Sequence, residues 1–158
     1  MECTCSKARR SLRKGERGQE TGDWGQGGLT TTAVRSAKEL EVYKKAYGLA
    51  MDIFNVSKGF PAEEKYALTS QIRRSSRSVS MNLREAWAKR RYEAHFVSKL
   101  TDCDGECNET DTSLDFARDC GYITNEQHAS LMAMNREIGR MLGSMISNPI
   151  PFLLSSDP

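Results

Sequence analysis

The chain has 158 residues, with 23 Lys and Arg against 21 Asp and Glu, a formal charge of +2. That length suits one domain with a core of its own, and so small a net charge gives no compositional case for a nucleic-acid or membrane partner. Apolar runs fall far short of the roughly 18 residues of a membrane span, and an apolar fraction of 38% is low for a globule. The low fraction implies an unstructured segment, or burial completed by oligomerisation.

Residues 1–35 differ from the rest. Gly15, Gly18, Gly22, Gly25, Gly27 and Gly28 crowd one stretch, and Lys7, Arg9, Arg10, Arg13, Lys14 and Arg17 crowd the start. Such a composition cannot offset its chain entropy by burial, so a disordered, basic, Gly-rich tail is expected over 1–35. The basic start is followed by no apolar core of a secretory signal. Five cysteines with no disulfide-framework spacing read as reduced thiols, which suits a cytoplasmic protein.

Residues 36–148 carry four segments of helical period. The first is expected from about Ala37 to Lys58 and holds two apolar stripes side by side. One is Leu40, Tyr43, Tyr47, Ala50, Met51 and Phe54; the other is Val42, Ala46, Leu49, Ile53 and Val56. One buried face needs one stripe, so two stripes predict burial against both the core and a second chain. Gly59-Phe60-Pro61 ends this helix, and Pro61 is expected in the first turn of the next, with Glu63 and Glu64 favoured there by the helix dipole. The second helix buries Leu68, Ile72, Ser75, Ser76, Val79, Leu83 and Ala86 and carries Arg73, Arg77 and Arg84 on another face.

The third segment sets propensity against period. Thr101-Asp102-Cys103-Asp104-Gly105 is poor in helix formers. Yet Phe96, Leu100, Cys103, Cys107, Thr110, Leu114 and Ala117 step by four and three, and that spacing predicts a helix from about Tyr92 to Cys120, ended by Gly121. Thr124 and Gln127 have the spacing of a capping box for a fourth helix, with its stripe at Leu131, Met134, Ile138, Met141, Leu142, Met145 and Ile146. Asn148-Pro149 stops it, leaving 149–158 as a C-terminal tail. The expected fold is all-α, an antiparallel up-down four-helix bundle.

Chemistry-bearing motifs are sparse. The acidic run from Asp102 to Asp111 fails as a calcium loop, because Cys107 and Ser113 stand where Gly and a carboxylate are required. Neither His95 nor His128 has Glu three residues before it, as a di-iron bundle needs. Cys103 and Cys107 sit on the buried stripe and read as small apolar groups. No residue set suggests catalysis, a metal or a cofactor.

The clearest signal is charge segregation. Residues 71–100 hold eight basic and two acidic side chains; residues 101–120 hold seven acidic and one basic. Arg73, Arg74, Arg77, Arg84, Lys89, Arg90 and Arg91 are the candidates for phosphate contact, with Trp87 and Tyr92 placed to stack on a base. The competing reading pairs the basic segment with the acidic one, within the bundle or between subunits.

The pattern also resembles a known family. Leu40-x-x-Tyr43-x-x-Ala46 is followed by Phe60-Pro61-x-x-Glu64 and by Leu68-Thr69-Ser70-Gln71-Ile72-Arg73-Arg74. Ser78-Val79, Asn82-Leu83 and Glu85 come next. Phe96, Leu100, Gly105, Glu109, Leu114, Ala117, Gly121-Tyr122-Ile123 and Ile138-Gly139-Arg140-Met141-Leu142 complete the series. In order and spacing these residues, over about 38–147, resemble the 23S rRNA intervening-sequence proteins. The resemblance implies a helical bundle without enzymatic activity that assembles as a cyclic homo-oligomer, typically a homopentamer. A related group resembles accessory proteins that associate with reverse transcriptase and nucleic acid. RNA, DNA, a reverse transcriptase and the chain itself are therefore the expected partners. Arg84 and Ala86 replace the small residue and the Gly of the family pattern, so the second helix is expected to run on to about Lys89.

Overall fold

The structure, a computed structural model, describes residues 34–154. The tail expected over 1–35 lies outside those residues, Val34 and Arg35 excepted, as do Cys3, Cys5 and the last four residues. Four helices dominate: α1 (Glu41–Val56), α2 (Leu68–Lys89), α3 (Glu93–Asp119) and α4 (Asn125–Ser147). They pack as an all-α four-helix bundle in which each helix contacts the next and α4 returns to α1. No helix among the described residues is long and apolar enough to cross a membrane.

Both ends of the first helix differ from expectation. Ala37–Glu39 forms a separate 3₁₀ turn, whose Ser36 side chain accepts a bond from the Lys38 N–H. Leu40 is then extended (φ −65°, ψ 133°), and α1 starts at Glu41. The break buries Ala37 and Leu40 together in the core. At the other end Ser57–Gly59 tightens into a 3₁₀ turn.

The second helix starts later than Pro61 implies. Ala62–Tyr66 is a 3₁₀ turn, and Ala67 (φ −108°, ψ −111°) breaks the path before Leu68. Glu64 acts at the junction, though as a capping side chain. One carboxylate oxygen accepts from the Leu68 N–H at 3.1 Å, satisfying an orphan donor of α2, and the other accepts from the Tyr122 hydroxyl at 3.1 Å. The helix ends at Lys89 as expected.

Period prevails over propensity in α3. Phe96, Leu100, Cys103, Cys107, Thr110, Leu114 and Ala117 are all buried. Small side chains let α2 and α3 approach closely. The Thr110 hydroxyl lies 2.9 Å from that of Ser75 and 2.8 Å from the Glu106 carbonyl, and the Cys103 thiol donates to the Val79 carbonyl. Ser76 returns its hydroxyl to the Ile72 carbonyl at 2.7 Å, so this polar layer is largely satisfied inside the protein.

Gly121 (φ 74°) ends α3 in the left-handed region, with the Tyr122 N–H bonded back to the Ala117 carbonyl at 2.8 Å. Thr124 and Gln127 form the full reciprocal capping box of α4. The C-terminal segment packs on the bundle: Phe152 stacks on Phe96 with ring centroids 6.2 Å apart, and the Leu154 N–H donates to the Arg90 carbonyl.

Candidate functional site

The two stripes of α1 have different fates. Val42, Ala46, Leu49 and Ile53 are buried in the core. Tyr47 and Met51 of the other stripe are 55% and 42% exposed, beside half-buried Tyr43 and Phe54. Across the groove, α2 presents Met81, 70% exposed, with Arg77 and Arg84. The groove holds about 280 Å³, and Ser80, 7% exposed, is among its lining residues, its buried hydroxyl without a partner among the described residues. Large apolar side chains left in water beside arginines are the composition of a protein-binding surface.

The seven candidate cations are divided among three places. Arg73 and Arg77 lie over the Phe54 ring, with Arg84 further along the same side of α2. Arg74 turns toward α3, its guanidinium 2.5 Å from Glu109 and 3.7 Å from Glu106. Lys89, Arg90 and Arg91 sit at the far end of α2, roughly 24 Å along the axis from Arg73 at 1.5 Å per residue. Lys89 pairs with Glu85, which also takes Lys99.

Trp87 does not present a bare face for stacking. The Arg90 guanidinium covers its ring at 4.1 Å and donates to its carbonyl at 2.6 Å. Tyr92, 61% exposed, leans on His95 instead. Period analysis could not find this, because Arg90 lies beyond the last turn of α2.

The acidic helix is partly neutralised. Arg74 holds Glu106 and Glu109, Lys99 holds Asp102, and Arg118 holds Asp115 and Asp119, with His128 hydrogen-bonded to Asp115. Asp104 and Asp111 have no basic partner within 4 Å among the described residues. Neither do Arg77, Arg84 and Arg91 have a carboxylate. Glu106 is the carboxylate under most stress: burial raises its pKa above the ordinary value, the Glu109 charge adds to this, and Arg74 opposes it.

A second groove, between the start of α2 and α3, is lined by Gln71, Glu109, exposed Phe116 and exposed Tyr66. Phe116 and Met81 each interrupt an otherwise polar face, so no repeat in the sequence singles them out. Cys103 and Cys107 are inert by burial, which pushes both thiols up to about 12; Cys120 is exposed. No three metal-ligating side chains converge among the described residues.

Comparison with known proteins adds two findings. Residues 38–144 match the family described as 23S rRNA-intervening sequence protein. The chain is also similar to a crystal structure of a protein of unknown function from the S23 ribosomal protein family of Bacteroides thetaiotaomicron VPI-5482. The two share 34% identity and a TM-score of 0.62, over 68% of this chain and 99% of that one. No curated protein matches the chain.

Proposed function

The chain belongs to the 23S rRNA-intervening sequence protein family, and on that premise we propose that it is a non-catalytic assembly protein built to bind further copies of itself through the α1/α2 face. The observation that carries this reading is the pairing of Tyr47 and Met51 with Met81 on one exposed surface. A chain with a low apolar fraction gains nothing by leaving these side chains in water. Arg77 and Arg84 border the surface, and Asp104 and Asp111 stand on α3 without a cation within 4 Å among the described residues, so a head-to-tail contact would pair basic face with acidic face. Such contacts close into a ring when the rotation between copies allows, in keeping with the expected homopentamer.

Light scattering on Met81→Lys and Arg84→Glu tests the reading. Both variants should have a lower mass than the unmodified chain while keeping its helical content. Unchanged mass in both would contradict it.

A second reading, RNA or DNA binding, is favoured by one observation: Arg73, Arg77, Arg84, Arg90 and Arg91 have no carboxylate within 4 Å among the described residues. Phosphates could serve as their counter-charges. Salt-sensitive retention of RNA that falls when three of these residues are neutralised supports it; absence of any salt-sensitive binding removes it.

A further inference from the structure

We propose that the Phe54 end of the α1/α2 face is a site for a phosphate-type oxyanion. Three cations converge on one ring: Lys58 Nζ lies 4.6 Å from the Phe54 centroid, and the guanidinium carbons of Arg73 and Arg77 lie 5.0 and 5.6 Å from it. None of the three has a carboxylate within 4 Å among the described residues. Like charges gathered this closely repel, and the ring attracts each only weakly, by about 0.5–1 kcal/mol at an exposed site. An anion would resolve the imbalance.

The surroundings suit a ligand with several acceptor oxygens. Arg73 Nε donates to the Ser57 hydroxyl at 2.7 Å, which anchors the guanidinium and leaves its terminal nitrogens for a ligand. Arg73 and Arg77 also line an open groove of about 610 Å³ with Ser70, Ser78 and Thr69. A tetrahedral oxyanion presents enough acceptors for two guanidinium forks and the Lys58 ammonium at once.

The anion is a phosphate group, either small and inorganic or part of a nucleic-acid backbone. In the second case the inference sharpens the nucleic-acid reading to one site. It does not depend on self-assembly.

Calorimetry at low ionic strength tests it, with inorganic phosphate, pyrophosphate and a short single-stranded RNA as probes. The expected result is saturable pyrophosphate binding that weakens about tenfold or more in the Arg73→Gln, Arg77→Gln double variant. Binding should also weaken in Lys58→Gln and stay unchanged in Arg136→Gln, an exposed cation of α4. Light scattering and melting on the same samples establish that the variants are folded. If RNA competes with pyrophosphate, the source is the backbone; if only the small anions bind, the source is free phosphate, and both outcomes support the site. No saturable binding of any probe would overturn it, as would equal affinity in the double variant. RNA binding that needs Arg91 and is not displaced by pyrophosphate would overturn the site and leave the nucleic-acid reading standing.

Discussion

Arg74 is held between two glutamates of the neighbouring helix, 2.5 Å from Glu109 and 3.7 Å from Glu106. This contact turns part of the charge segregation inward. One of the seven basic candidates is thereby used to dock α2 on α3. The arrangement is asymmetric, because Glu109 takes the short bond and Glu106 keeps an unbonded, buried oxygen.

That asymmetry gives a pH signature. Burial, first, and the Glu109 charge, second, raise the pKa of Glu106 in the folded protein above the unfolded 4.5. The folded state therefore binds that proton more tightly, and stability falls as pH rises from 4.5 through the folded value. The penalty is fully present at neutral pH and relieved in acid. Glu106→Gln should melt above the unmodified protein at pH 7, with the difference shrinking as pH falls toward 4. A lower melting temperature for the variant at pH 7 would contradict this account of the site.

Thr110 is fully buried, and its hydroxyl meets that of Ser75 across the α2/α3 seam. Thr110→Val leaves the Ser75 oxygen facing a methyl group and should cost about 1–2 kcal/mol in urea unfolding. Exposed Thr112→Val, two residues on and on the opposite side of the helix, should change stability by less than about 0.5 kcal/mol.

Two glycines, one inside α3 and one just beyond its end, should respond with opposite signs. Gly121 has φ 74°, so Gly121→Ala should destabilise by about 1 kcal/mol. Gly105 sits in mid-helix on an exposed face, with open space where a Cβ would go. Gly105→Ala should therefore stabilise by roughly 0.5–1 kcal/mol. Thermal melts that moved in the same direction would show that backbone conformation is not the deciding factor.

The case of α3 also shows what the sequence makes legible. Its buried stripe was readable from spacing alone, even though Cys103, Cys107 and Thr110 give it little apolar character. Caps were readable where short-range chemistry decides them, as with Thr124, Gln127 and Gly121. The start of α2 was not, because Glu64 acts there through bonds to Leu68 and to Tyr122, a residue distant in sequence. The candidate surface was half legible. Its α1 half followed from the stripe of Tyr43, Tyr47 and Met51, while Met81 had no repeat to reveal it. The division of the cations into three places depended on side-chain partners such as Phe54 and Glu109 that no spacing rule supplies.

Thiol chemistry should divide the cysteines of the bundle. With Cys3 and Cys5 replaced by serine, a disulfide reagent at pH 8 should label Cys120 quickly. Cys103 and Cys107, pushed up to about 12 by burial, should react only on unfolding. Rapid labelling of either in the native protein would mean that the α2/α3 seam opens readily.

Self-assembly through the α1/α2 face would show in the mass of the unmodified protein in solution. Light scattering at micromolar concentration and moderate salt should give one discrete species at an integer multiple, above one, of 17.7 kDa. A monomer under those conditions would contradict the account.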